Sequence, residues 1–206
     1  MNPYVSKGLW WLVAVSSVLI ALVSYRYFVP AIPVPSNLAA NLMARPWLVV
    51  HAGLAATALI TGPWQFIPRL RARRPRVHRI LGRVYVFCCL VGGGAGLLLA
   101  SGTSAGPIAR AGFGLLAIVW IGINANAFRL ALAGRYAEHR EWMIRSFVLT
   151  FGAVTLRIYL PAAQAMGIEF MTAYRAISWL AWVPNLLLAE LYLRWPAGRR
   201  PATAAA

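Results

Sequence analysis

The chain has 206 residues, of which 61% are hydrophobic and only 12% are charged, and its formal net charge is +16. Soluble domains usually carry about 25% charged and about 45–50% apolar residues, so this composition excludes an ordinary water-soluble domain. The basic excess would also suit a nucleic-acid binder, but no RNA-binding or helix-turn-helix pattern accompanies it.

Six apolar stretches are each long enough to cross about 30 Å of hydrocarbon as a helix, which takes roughly 20 residues. None of them alternates in the way of a barrel strand, and a helix satisfies its own backbone hydrogen bonds in lipid. The sequence therefore predicts an all-α membrane bundle with six transmembrane helices. They are expected at Leu9–Phe28, Pro46–Ile67, Ile80–Ser101, Ala109–Leu130, Trp142–Met166 and Ala173–Tyr192.

The segments outside the spans complete the organisation. The first span follows Lys7 and is too long for the core of a signal peptide, so we interpret it as a retained signal anchor. The stretch Val29–Ser36 contains three prolines, which keep it out of regular helix. We expect it to lie across the outer face. We predict one domain over residues 1–195 and a disordered cytoplasmic tail over residues 196–206.

The arginines indicate the orientation. Seven basic residues lie between Arg69 and Arg83, after the second span, and others surround Arg140 and the end of the sixth span. Because short loops rich in Lys and Arg stay in the cytoplasm, we predict that both termini are inside. The basic face is expected to contact anionic lipids, and no nucleic acid is expected as a partner.

Each of the three histidines stands near the start of a predicted span. At helical spacing, small and polar side chains share a face with each ring, whereas bulky apolar side chains occupy the other faces. In a membrane the small faces pack against neighbouring helices, so we expect all three rings to point into the bundle. The faces run His78, Gly82, Tyr85, Cys89 on the third span, His139, Met143, Ser146, Thr150 on the fifth, and His51, Ala55, Ala58, Gly62, Gln65 on the second.

His78 and His139 open their spans from the same side, so they should lie at similar depth. Helix N-termini and neighbouring arginines both disfavour the imidazolium, and neutral imidazole is the metal-binding form. The pair therefore predicts axial ligands for the iron of a haem b. Gly82 would leave room beside the haem plane, and the propionates would contact Arg79, Arg83, Arg140 and Arg145. The alternative is that each ring only hydrogen-bonds within the bundle.

A second polar group is expected in the outer half of the bundle. His51 enters the second span from the outer side, and Arg157 and Gln164 fall in the outer half of the fifth span. An arginine inside a span is costly and usually marks a ligand, a partner or a pathway. These residues are candidates for lining a quinone or small-substrate pocket, and the alternative is an interhelical hydrogen-bond network.

Carboxylates are scarce. Glu190 is the only one inside a predicted span, and we expect a salt bridge from it to Arg129 at similar depth. The chain has no aspartate, no phosphate-binding loop, and no hydrolase or zinc-protease motif. An ATPase or a hydrolase is therefore disfavoured, and the sequence leaves other enzymatic activity open.

Three stretches carry a family resemblance, namely WLVVHAGLAATALITGPWQF from Trp47, RVHRILGRVYV from Arg76 and EHREWMIRSF from Glu138. From Trp47 to about Trp195 the chain resembles the bacterial family of predicted membrane proteins called domain of unknown function 2306. The resemblance implies a multi-pass protein of the bacterial inner membrane and no assigned activity. More loosely, histidines that open helices of a six-span bundle resemble the cytochrome b561 group. That group holds two haems with four histidines, so three histidines imply at most one such haem here.

The sequence supports three functional hypotheses. The first is a small inner-membrane cytochrome-like protein that binds haem b, with a quinone or small substrate as a further candidate ligand. The second is a cofactor-free accessory or assembly subunit of a larger membrane complex, in which tryptophans contact lipid and partner. The third is a small-solute transporter, although its usual matched helix breaks are not evident in the sequence.

Overall fold

The computed structural model describes residues 3–29, 40–41 and 46–195, and these residues form helices, turns and loops without a strand. The tail over residues 196–206 and most of the proline-rich stretch lie outside the described residues. Two short 3-10 turns, Tyr25–Phe28 and Pro63–Phe66, continue the first two helices. The α-helices, numbered in chain order, are α1 (Pro3–Ser24), α2 (Trp47–Thr61), α3 (Pro68–Arg73), α4 (Pro75–Ser101), α5 (Pro107–Leu132), α6 (Tyr136–Thr150), α7 (Gly152–Ala165), α8 (Phe170–Leu180) and α9 (Val183–Arg194).

Six helical stretches are long and apolar enough to span a membrane, which confirms the predicted fold class. Several begin a few residues before the apolar run. Pro75 and Pro107 open α4 and α5, since a proline in the first helical turn leaves no needed N–H unpaired. The spans are Lys7–Phe28, Trp47–Phe66, Pro75–Ser101, Pro107–Leu132, Tyr136–Ala165 and Phe170–Arg194.

The fifth and sixth spans are each divided into two helices. The fifth consists of α6 and α7, which meet at Phe151. The sixth consists of α8 and α9, which meet at Trp182, whose φ of −132° departs from helical values. Pro184 follows directly, and a proline removes a backbone donor and clashes with the carbonyl four residues earlier. The sequence predicts each of these spans as a single continuous segment, so the divisions are a new finding.

The helices pack in an order that brings distant parts of the chain together. α2 lies between α1 and α4, α5 contacts α4, α6 and α8, α6 packs against α9, and α7 packs against α8 and α1. A Cβ on Gly92 would lie 3.2 Å from Leu54 Cβ, and one on Gly93 would lie 2.7 Å from Ile121 Cγ1. The glycines therefore let α4 approach α2 on one side and α5 on the other.

The two ends of the bundle carry different connecting segments. The basic end carries α3, the turn between α5 and α6, and the end of α9. The opposite end carries the loop between α4 and α5 and the loop between α7 and α8. The chain order and the alternation of the six spans place these elements on the two sides.

Candidate functional site

A polar network joins α4 to α6 in the core of the bundle. The hydroxyl of the fully buried Tyr85 lies 2.8 Å from Ser146 Oγ and 2.8 Å from Thr150 Oγ1. Thr150 Oγ1 also accepts a hydrogen bond from Trp120 Nε1 at 3.0 Å, and Ser146 Oγ donates to Asn124 Oδ1 at 2.8 Å. The faces of His78 and His139 predicted from the sequence therefore meet each other through Tyr85.

His139 lies at the basic end of that interface, in the first turn of α6. Its Nδ1 lies 2.8 Å from the carbonyl oxygen of Ala127 on α5. A carbonyl has no proton to give, so Nδ1–H is the donor, and in this tautomer of imidazole Nε2 carries the lone pair. A hydrogen bond from the far nitrogen to a backbone carbonyl is the usual way in which a protein orients a metal-ligating histidine.

His78 lies in the first turn of α4, close enough to His139 for the two rings to interact electrostatically. Its Nδ1 is buried and makes no hydrogen bond with any described residue. The same is true of Nε2 of Gln65, a buried side chain that faces the next turn of α4. A Cβ on Gly82 would lie 3.2 Å from Gln65 Oε1. The basic end thus holds two buried nitrogens without partners, and buried polar atoms left so are uncommon.

The arginines near this site divide into two groups. Arg79 and Arg83 are exposed and line an open depression on α4 together with Arg76 and Ile80. At about 100° of rotation per residue they lie roughly 100° and 140° around the helix from His78. Arg145 instead points between helices, where its Nε donates to Glu190 Oε1 at 2.5 Å.

The ion pair of Glu190 differs from the one predicted. Its partners are Arg145 on α6 and, at 3.5 Å, Arg194 on its own helix. Arg129 is hydrogen-bonded to Asn126, one turn earlier on α5, at 2.8 and 3.2 Å. The predicted Glu190–Arg129 salt bridge was wrong because depth alone does not determine neighbours, and α9 packs against α6.

The candidates for the outer pocket lie towards the opposite end. His51 Nδ1 lies 2.8 Å from the carbonyl oxygen of Gly92, so the ring joins α2 to α4. Arg157 donates from Nη1 to Ala153 O at 3.1 Å and from Nη2 to Ser24 Oγ at 2.9 Å, so it joins α7 to α1. His51 and Arg157 are close enough to interact electrostatically, whereas Gln164 is exposed near the end of α7.

The two helix junctions of the last spans meet each other. A Cβ on Gly152 would lie 3.1 Å from the carbonyl oxygen of Ala181. The side-chain nitrogen Nδ2 of Asn185 lies 3.0–3.3 Å from Thr155 Oγ1, from Ala181 O and from Val148 O. Paired breaks in transporters often leave carbonyls to coordinate ions. Here the side chain of Asn185 donates hydrogen bonds to two such carbonyls, so it stabilises the junction.

These features define a class of protein, a polytopic α-helical membrane protein with buried polar groups at both ends of the bundle. No group of three or more His, Cys, Asp or Glu residues within the described ranges could hold a metal ion. The chain belongs to the family described as predicted membrane protein (DUF2306), whose match covers residues 48–193.

The other two comparisons add no relative. No curated protein and no solved structure matches the chain. Nothing in the comparisons supports the looser likeness to the cytochrome b561 group.

Proposed function

We propose that the protein is a small membrane cytochrome that binds haem b between α4 and α6 at the basic end, where His78 and His139 would ligate its iron. One observation carries the proposal, namely that the two helices bear an imidazole each at the same end of faces joined by Tyr85. When bound, the haem would supply a one-electron carrier within the membrane.

The hydrogen bonding of the histidines supports this proposal. Nδ1–H of His139 is held by Ala127 O, which leaves Nε2 as the ligating atom. His78 has a buried Nδ1 that no described residue satisfies. A protein that used these rings only for internal hydrogen bonds would be expected to satisfy both. His51 also bonds a carbonyl through Nδ1, but it lies on α2 towards the opposite end of the bundle and is therefore not assigned to this haem.

Two side chains near the proposed site differ from the sequence-based expectation. Gln65 Oε1 now occupies the space beside Gly82, so the amide must rotate away when a flat ring enters. Arg145 is engaged with Glu190, and Arg79 and Arg83 lie on the exposed side of α4, so the propionates would have to emerge at the surface of the bundle to contact Arg79, Arg83 or Arg140. Gln65 Nε2 remains available as a hydrogen-bond donor at the edge of the site.

An absorption spectrum tests the proposal. Protein expressed with ample haem and purified in mild detergent is expected to show a Soret band. That band should be lost in a His78→Ala, His139→Ala double variant and strongly reduced in each single variant. A colourless wild-type protein would contradict the proposal.

The third histidine provides the matched control. His51→Ala removes an imidazole from the same membrane bundle without touching α6, so it is expected to retain the band. Loss of the band in His51→Ala at unchanged yield of folded protein would move the ligand assignment away from the basic end.

We also propose that the basic end faces the cytoplasm of a bacterium and lies against anionic lipids of the inner membrane. The clustering of exposed arginines on α3 and the start of α4 supports this placement. A quinone or small substrate near His51 and Arg157 remains a separate prediction. It is supported by the placement of both side chains towards the same end of the bundle, and the exposed Gln164 adds little to it.

A further inference from the structure

Arg157 is a cation within the fifth span, and every acidic side chain of the protein is engaged with other groups. The protein contains only four acidic residues. Three of them, Glu138, Glu141 and Glu190, pair with arginines near the basic end. The fourth, Glu169, caps α8 by accepting hydrogen bonds from Met171 N, Thr172 N and Thr172 Oγ1.

The hydrogen bonds of Arg157 leave part of its guanidinium unused. A guanidinium has about five N–H donors. Those of Arg157 reach Ala153 O and Ser24 Oγ, both neutral acceptors, and the structure gives the group no anionic partner among the described residues. A half-buried cation without a counter-charge is unfavourable, so an anion from outside the chain would stabilise it.

Arg157 is joined by a second cation and a phenol. Arg26 and Tyr27 both interact electrostatically with it, and Arg26 Nη2 donates to Tyr27 Oη at 3.3 Å. These residues belong to the 3-10 turn Tyr25–Phe28, which ends the first span. Ser24, Arg26, Tyr27 and Arg157 are called the Arg157 cluster. Because the first span ends there, the cluster lies near the depth of the lipid headgroups.

We infer that the Arg157 cluster binds a phosphate-bearing anion at the opposite end of the bundle. The planar fork of an arginine matches phosphate oxygens, and two arginines with a phenol donor can contact one phosphate together. The anion is either the phosphodiester of an anionic lipid or a free phosphate. This site is independent of the haem proposed at the basic end, so either can fail without the other.

Lipid retention in native mass spectrometry tests the inference. The full chain in a maltoside detergent is incubated with phosphatidylglycerol, and the population carrying one lipid is measured. Arg157→Gln removes the charge but keeps a hydrogen-bonding side chain. Because a charge-assisted hydrogen bond is stronger than a neutral one, we expect affinity to fall about tenfold or more.

Two further variants control the experiment. Arg110 is an exposed arginine at the same end that belongs to no cluster, so Arg110→Gln should change affinity by less than about twofold. Arg26 is also exposed, so Arg26→Gln should fold even if Arg157→Gln does not. It is expected to weaken phosphatidylglycerol binding by a smaller factor than Arg157→Gln. Equal affinities for the Arg26, Arg157 and Arg110 variants would overturn the inference.

A second measurement separates the two sources of phosphate. Inorganic phosphate is compared with sodium chloride of equal ionic strength for its effect on thermal unfolding, because a ligand specific to the folded state raises Tm. A rise in wild-type protein that is lost in Arg157→Gln assigns the site to free phosphate. Loss of phosphatidylglycerol binding without such a rise assigns it to the lipid headgroup. If neither phosphate nor phosphatidylglycerol responds to Arg157→Gln, the cluster does not bind an anion.

Discussion

The glycines of α4 illustrate how single residues set the spacing of the helices. Gly94 has nothing within 4 Å of a would-be Cβ, whereas a Cβ on Gly96 would lie 2.9 Å from His51 Nδ1. Gly94 and Gly96 stand two positions apart in one motif and look equivalent in the sequence. Only the ring of His51, seated on α4 by its bond to Gly92, distinguishes them.

Alanine substitutions at these two glycines should have opposite effects. Gly96→Ala forces the imidazole off Gly92 and should destabilise the protein by about 1–3 kcal/mol, as overpacking does. Gly94→Ala should be neutral or stabilising by up to about 1 kcal/mol, because alanine is the better helix former. Thermal unfolding in detergent measures both. Similar loss in the two variants would show that His51 does not occupy the described position.

Residue-level chemistry was predictable where it depended on one helix. The inward faces of His78 and His139 followed from helical spacing alone, and the Tyr85 network bears them out. The carbonyl partners of the rings, Ala127 and Gly92, were not predictable, because they depend on the register between two helices. Gln65 had a visible signal, a lone amide in an apolar span, but nothing in the sequence indicated that its nitrogen would lack a partner.

At the scale of elements, the divided spans were hidden by their hydropathy. Apolar residues continue through both junctions, so a window of about 20 residues counts one span where the backbone forms two helices. Pro184 gave a visible signal for the second junction, but Gly152 gave none beyond its small size. The contact between Gly152 and Ala181 arises only from the packing of α6 and α7 beside α8 and α9.

Asn185 should be essential to the junction of the last two spans. Asn185→Leu keeps a similar volume but removes the donor that reaches Thr155, Ala181 and Val148. We expect a loss of roughly 1–3 kcal/mol, the usual cost of leaving buried polar groups unsatisfied. Asn126→Leu is the control, because Asn126 bonds only Arg129 at the surface. Thermal unfolding compares them, and equal losses would contradict a special role for Asn185.

For the whole molecule, the six spans were predictable because length and apolarity are properties of contiguous sequence. All six appear within a few residues of their expected limits. The candidate sites were less predictable, since they bring together residues from two to four spans. The wrong pairing of Glu190 with Arg129 shows this limit, because similar depth is shared by every span at that level.

The charge distribution predicts the orientation of the whole bundle. A fluorescent protein that folds only in the cytoplasm, fused after residue 206, should be fluorescent, and a periplasmic phosphatase at the same place should be inactive. The physical reason is the retention of Lys- and Arg-rich loops on the cytoplasmic side. Fusions in the loop between α4 and α5 should behave in the opposite way. The reverse pattern at both places would mean that the basic end faces outward.

The hydrogen bonds of Asn185 connect helices that reach opposite ends of the bundle. α6 and α9 carry Arg145 and Glu190 on one side of these bonds, and α7 carries Arg157 on the other. Each of the last two spans thus consists of two short helices, and the side chain of Asn185 lies where the two junctions meet. Because its side chain bonds Val148 on α6 and Thr155 on α7, Asn185 restrains the angle between the two halves of the fifth span.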